Sequence, residues 1–126
     1  MQKQKVNSAK APDPIGPYSQ AIRSGNLLFI SGQVAINPAT GNVEATDVAG
    51  ETRQVMLNLQ AILKEAAMDF GHVLKTTIFL TDMSLFSTVN EVYGSFLEQP
   101  FPARETVAVK GLPKNVNVEI SMIAAQ

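Results

Sequence analysis

An arginine and a glutamate on two alternating segments are the residues of this chain best placed to do chemistry. The first lies in Phe101-Pro102-Ala103-Arg104-Glu105-Thr106-Val107-Ala108-Val109. Pro102 has no N–H to give a sheet ladder, so it belongs at a strand entrance. Alternation then places Val107 and Val109 on one face and Arg104, Thr106 and Ala108 on the other. A guanidinium cannot sit unpaired in an apolar core; it needs water, a carboxylate of the protein or an anionic ligand. The second segment, Val116 to Met122, alternates in the same way. Val116, Val118, Ile120 and Met122 form its buried face, and Asn117, Glu119 and Ser121 the other. The turn cluster Gly111-Leu112-Pro113-Lys114-Asn115 reads as a hairpin or near-hairpin loop between the two strands, which puts Arg104 and Glu119 on the same side of one sheet. On its own this pattern fits a structural ion pair or two solvated side chains as well as a site.

The elements that must position these groups follow from periodicity and turn chemistry. Pro12 to Pro17 form a rigid entry loop, and Tyr18 to Arg23 reads as a strand. Ser24-Gly25-Asn26 is a turn, Leu27 to Gly32 a strongly apolar strand, and Val34-Ala35-Ile36 an optional short one before the turn cluster Asn37 to Asn42. A helix begins near Asp47, a side chain suited to the N-cap, with Val48, Val55, Leu59, Ile62 and Ala66 as its apolar stripe and Arg53, Gln54, Asn58 and Lys64 largely off it. Gly71 stops it, and Val73 to Leu80 is a strand. A second helix, capped near Ser84, carries Phe86, Val89, Tyr93, Phe96 and Leu97 on its apolar side, which makes Tyr93 a core residue; Pro100 and Pro102 end it. Two helices cover only one face of such a sheet. The other face is expected to carry small or polar residues, Thr106, Ala108, Ser121 and Thr76, and to be wet or to pack against another subunit.

Composition narrows the function classes. The chain has 126 residues, 45% of them hydrophobic, which suits one domain spanning residues 1–126 with a sizeable core. A formal net charge of -1 gives no electrostatic footprint for nucleic acid. With no cysteine, disulfides, thiolate nucleophiles and cysteine-based metal sites are excluded, and the single histidine, His72 in the turn Asp69 to Val73, excludes a multi-histidine metal centre and reads as a solvated loop residue. No apolar run approaches a membrane span, and the polar N-terminus has no apolar stretch behind it, so a cytoplasmic protein is expected.

The ordered set Ile15-Gly16-Pro17-Tyr18-Ser19-Gln20, Ser31-Gly32-Gln33, Asn37-Pro38-Ala39-Thr40-Gly41, Val89-Asn90, Pro102-Ala103-Arg104, Leu112-Pro113-Lys114 and Val118-Glu119-Ile120 resembles the reactive-intermediate deaminases, the RidA or YjgF family. No single motif is specific; their order along nearly the whole chain is. The resemblance implies a chorismate-mutase-like α+β fold, a mixed sheet with two helices packed on one face. It also implies a homotrimer around a central β-barrel, with sites in clefts between subunits. The implied reaction is hydrolysis of enamines and imines such as 2-aminoacrylate and 2-aminocrotonate to 2-keto acids and ammonia, with no metal and no bound cofactor. Family members have also carried the label endoribonuclease, which this slightly acidic, tryptophan-free chain suits poorly. A regulatory protein that binds a small acid without turnover would use the same cleft.

Residue by residue, the resemblance makes Arg104 the carboxylate-binding group, a role its parallel N–H donors and permanent charge suit. Glu119 matches the acidic residue near the catalytic water, to deprotonate it or to position it; acid–base work asks for a pKa near neutrality, which partial burial supplies. Tyr18 matches a cleft-walling tyrosine, Gly32 a glycine that lets a ligand approach the backbone, and Asn90 an asparagine with a packing or supporting role. One departure stands out: where many members have cysteine two residues after the arginine, this chain has Thr106. Hydrolysis by water needs no thiol, and the threonine hydroxyl can still bond ligand or water.

Overall fold

In the computed structural model, which describes residues 2–126, two helices lie on one face of a six-stranded sheet. The strands are β1 (Lys3–Val6), β2 (Ala21–Ser24), β3 (Leu27–Gln33), β4 (Val73–Leu80), β5 (Ala103–Ala108) and β6 (Val118–Ala125), and the helices are α1 (Val48–Glu65) and α2 (Phe86–Ser95). Sheet order is β1-β2-β3-β6-β4-β5. β6 runs antiparallel to both β3 and β4, while β5 runs parallel to β4. Each helix therefore serves as the crossover of a β-α-β unit, α1 from β3 to β4 and α2 from β4 to β5. The architecture is the expected α+β one.

Helix α1 forms where its caps and periodicity say it should. Asp47 Oδ1 accepts from the Gly50 N–H at 2.8 Å, satisfying one orphan donor of the first turn. Val55, Met56, Leu59, Ile62 and Leu63 are wholly buried against Leu28 and Ile30 of β3 and Ile120 and Met122 of β6. Burying each such side chain contributes roughly 1.5–3 kcal/mol before entropy is counted. Asn58 departs from the expectation that it lies off the buried stripe. It is fully buried, and its amide donates to the Val34 and Ile36 carbonyls, pinning the chain as it leaves β3. Residues 34–36 form no strand; only an isolated bridge joins Ile36 to Val43.

The other departures also have physical reasons. Tyr18 to Gln20 stay outside β2, which starts at Ala21. β1 had no signature in the sequence because three of its four residues are exposed and follow no apolar alternation. Before α2 the capping side chain is Asp82, not Ser84: its carboxylate accepts from the Ser84 N–H and heads a single 3₁₀ turn, Met83–Leu85. Strands β5 and β6 are not a hairpin, because β4 lies between them.

That last point inverts the expected faces. Thr76, Ile78 and Leu80 of β4 are buried on the helix side, and their register partners on β5 are Arg104, Thr106 and Ala108. Partners side by side in a ladder point the same way, so these three residues face the helices. Val107 lies on the open face, 44% exposed, beside Phe79. The expected small, polar open face is thus corrected for Thr76, Thr106 and Ala108. Ser121 does lie there, with Glu119, Thr77, Phe79 and an apolar row of Ile22, Phe29 and Ile123.

Candidate active site

Arg104 is the second residue of β5, two positions after Pro102 on the outermost strand, and its side chain reaches back under α2. Residues 86, 90 and 93 share one face of that helix, and all three engage the guanidinium. Asn90 Oδ1 accepts from Nη1 at 2.5 Å. The Phe86 and Tyr93 rings each stand 5.5 Å from Cζ, within cation–π range. Tyr93 is buried and donates its hydroxyl to Thr76 Oγ1 at 3.0 Å. Burial pushes the Tyr93 pKa up, against smaller opposing effects of Thr76 and the Arg104 charge, so the phenol stays protonated and able to donate. Among the described residues no carboxylate pairs with Arg104; Glu105, next in sequence, points to the open face toward Lys75 Nζ at 3.6 Å. A cleft of about 360 Å³ opens beside the guanidinium, lined by Asn90, Tyr93, Leu97, Phe101 and Pro102.

Glu119 sits elsewhere, on the open face of β6. Its carboxylate lies over Gly32, where β3 bulges between Ile30 and Gln33. A Cβ at position 32 would fall 2.5 Å from Glu119 Oε2, so the bare backbone is what leaves room for the acid. Partial burial pushes the Glu119 pKa above its ordinary 4.5. Gly32 also lines a small depression of about 30 Å³ with Pro12, Asp13, Ile15 and Tyr18. The Tyr18 hydroxyl accepts a long 3.5 Å bond from the Ile15 N–H, and the residue is 49% exposed. At the far end of this group, Glu51 of α1 is buried and accepts from Asn117 N at 2.8 Å and Nδ2 at 2.6 Å, fixing the entrance of β6.

The six residues singled out from sequence therefore fall into two groups. Arg104, Asn90 and Thr106 lie on the helix side of β5; Tyr18, Gly32 and Glu119 lie around the bulge of β3 and the open face. Within one chain Arg104 and Glu119 are on opposite faces with β4 between their strands, which corrects the expectation that they share a side. Thr106 does not line the cleft; its Oγ1 is buried and has no hydrogen-bond partner among the described residues. Phe86 and Tyr93 were hidden inside an apolar helical stripe. The signal that could have exposed them is Asn90, a polar residue on the same helix face between the two rings. His72 is a local cap: its Nδ1 accepts from the Asp69 N–H at 3.0 Å. Among the described residues no group of three or more His, Cys, Asp or Glu is gathered to hold a metal, and no helix is long and apolar enough to cross a membrane.

Comparison with known proteins bears on the family and the fold. A family model described as Endoribonuclease L-PSP matches residues 8–126. The human protein named 2-iminobutanoate/2-iminopropanoate deaminase is 43% identical over 121 residues, covering 96% of this chain and 88% of its own. A Lactococcus lactis protein named as a regulator, AldR, is 48% identical over 119 residues, covering 94% of each chain. Among solved structures, E. coli TdcF with bound serine superposes with a TM-score of 0.93 at 38% identity, covering 98% of each chain. With a match to the family model over nearly its whole length, the same fold and relatives well above 30% identity, this chain belongs to the YjgF/RidA family, whose model carries the description Endoribonuclease L-PSP.

Proposed function

We propose that this protein is a hydrolytic deaminase of small reactive enamines and imines, such as 2-aminoacrylate and 2-aminocrotonate, yielding 2-keto acids and ammonia. The observation that carries the reading is the state of Arg104. Its guanidinium is held by two rings and one amide, no protein carboxylate neutralises it, and a cleft opens beside it. Such a fork is a receptor for a small carboxylate. The human relative's name supplies the reaction class, and a structural relative holds serine, itself a small amino acid.

The chemistry follows from what such a substrate needs. The enamine tautomerises to the imine, R–C(=NH)–COO⁻. Arg104 holds the carboxylate and so fixes C2. Water held by Glu119 adds its oxygen to C2, and its proton passes through the carboxylate to nitrogen. The hydroxyl proton of the resulting tetrahedral adduct then passes through the same carboxylate to the NH2 group as the C–N bond breaks, so that nitrogen leaves as ammonia and C2 becomes the carbonyl of a 2-keto acid. Burial raises the Glu119 pKa above its ordinary 4.5, the direction that favours a group that takes and returns a proton. Tyr18 walls the site and Gly32 gives access to backbone, while Thr106, whose hydroxyl is buried away from the cleft, takes no direct part.

A small acid cannot touch Arg104 and Glu119 of one chain through the sheet. The site is therefore proposed to form between copies, the Arg104 cleft of one subunit meeting the Glu119 face of the next in a homotrimer. The apolar row on the open face, with Phe29 43% exposed, supports that packing.

The test generates 2-aminoacrylate from serine with a dehydratase and follows ammonia release with and without the purified protein. Wild type accelerates release. Arg104→Ala loses about 100-fold in kcat/KM, the value of two charge-assisted hydrogen bonds at roughly 1.5 kcal/mol each. A wild type that binds a 2-keto acid but turns over no imine would move the assignment to the regulatory reading that the Lactococcus relative's name favours.

A further inference from the structure

We propose that Tyr93 is a positioning residue for Arg104: its ring, paired with that of Phe86 and tied by its hydroxyl to Thr76, holds the guanidinium in the one orientation from which it can take a carboxylate with two parallel bonds. This rests on the deaminase reading of the site and deepens it, by naming what makes the fork rigid.

The geometry is specific to these residues. Thr76 is the register partner of Arg104 across the parallel β4–β5 ladder. The bond from Tyr93 Oη to Thr76 Oγ1, 3.0 Å long and buried, therefore anchors the ring to the strand position directly beside the arginine. The ring then stands 5.5 Å from Cζ, and Phe86, two turns earlier on α2, stands at the same distance. Asn90, between them on the helix, takes one N–H of Nη1. Two planes and one acceptor remove the freedoms a long arginine side chain otherwise has, and leave its remaining donors without a protein acceptor among the described residues. A receptor ordered before binding does not spend affinity on ordering itself. A phenylalanine at position 93 would supply the plane but not the anchor. A leucine would supply neither. Aromatic packing alone explains a buried ring at 93; it does not explain a hydroxyl directed at the neighbour of the arginine.

Two measurements on the full-length protein test this, and the first needs no turnover. Side-chain ¹⁵N relaxation of the Arg104 Nε–Hε group, assigned by its disappearance in Arg104→Lys, reads the order of the fork in the ligand-free protein. Wild type is expected to be ordered, Tyr93→Phe partly loosened, and Tyr93→Leu mobile. The second is a split of KM from kcat for the imine: because carboxylate capture serves substrate and transition state alike, Tyr93→Leu raises KM about tenfold with kcat little changed, and Tyr93→Phe lies between. Thr76→Val removes the same anchor from the other side, so Thr76→Val with Tyr93→Phe should be no worse than either alone. This pair also keeps the test open should Tyr93→Leu fold poorly. An Arg104 Nε–Hε group as ordered in Tyr93→Phe and Thr76→Val as in wild type, with KM unmoved, overturns the proposal. A wild type without imine turnover sinks the deaminase reading instead, and the relaxation data still decide the role of Tyr93.

Discussion

At the scale of single residues, the acid over Gly32 is the group whose behaviour depends most on its surroundings. Burial holds the Glu119 pKa above its ordinary 4.5 in the folded state. The folded protein thus binds this proton more tightly than the unfolded chain, and stability falls as pH rises from about 4.5 through the folded pKa. Below that window the penalty is absent, and above it the penalty is fully present. Glu119→Gln should therefore melt higher than wild type near pH 7, with the difference vanishing toward about pH 4. Thermal melts at fixed protein concentration check this. If the carboxylate is the working form, the acid limb of the wild-type rate profile should lie above 4.5, and the small residual rate of Glu119→Gln should lack that limb. Both charged groups were legible in the sequence as the polar positions of alternating strands. Their faces were not. Alternation says which residues share a side, and Arg104 does share one with Thr106 and Ala108; it does not say which side is the core. On an outermost strand the valine, Val107, is free to point outward, 44% exposed.

Elements carry the site by holding these residues in register, and there the sequence was informative where burial was deep. The strand from Val73 to Leu80 and the start of α1 at Asp47 stand where periodicity and capping put them, because each has a fully buried stripe and a distinct end. Pairing was harder to read. The Gly111–Asn115 cluster has the composition of a hairpin loop, yet the chain uses it to pass over the end of β4, with Val109 N bonding to Leu80 O at 2.7 Å. Turn chemistry fixes the local bend and leaves open which strand is met next. β1 escaped because exposed Lys3, Gln4 and Lys5 pair through backbone alone with β2. Asp47 offers a test at this level. Its carboxylate satisfies a first-turn N–H of the helix that covers the core, so Asp47→Ala should cost about 1 kcal/mol in a urea titration while leaving imine turnover intact. A loss of turnover without a loss of stability would show that α1 is tied to the site by something other than its packing.

The whole molecule poses a problem that no single chain solves. One surface offers a rigid cation beside an open cleft, and the opposite face of the same sheet offers a half-buried acid with nothing to act on. If each catalytic centre takes Arg104 from one subunit and Glu119 from its neighbour, two inactive variants should repair one another. Arg104→Ala subunits retain the acid, and Glu119→Gln subunits retain the fork. In a cyclic trimer every mixed assembly then contains one intact centre out of three. Random exchange of equal amounts produces mixed trimers about three times in four, which predicts about a quarter of wild-type activity from a mixture whose components are each nearly inactive. The recovery should appear only after the subunits have been dissociated and reassembled together, not on simple mixing of preformed oligomers. Activity that stays at the level of the separate variants, in samples shown by mass to contain mixed oligomers, would place both groups in a centre built from one chain and contradict the opposite-face geometry. Recovery near the expected fraction would instead explain why the fork lacks an internal counter-ion: its acidic counterpart across the site belongs to the next copy.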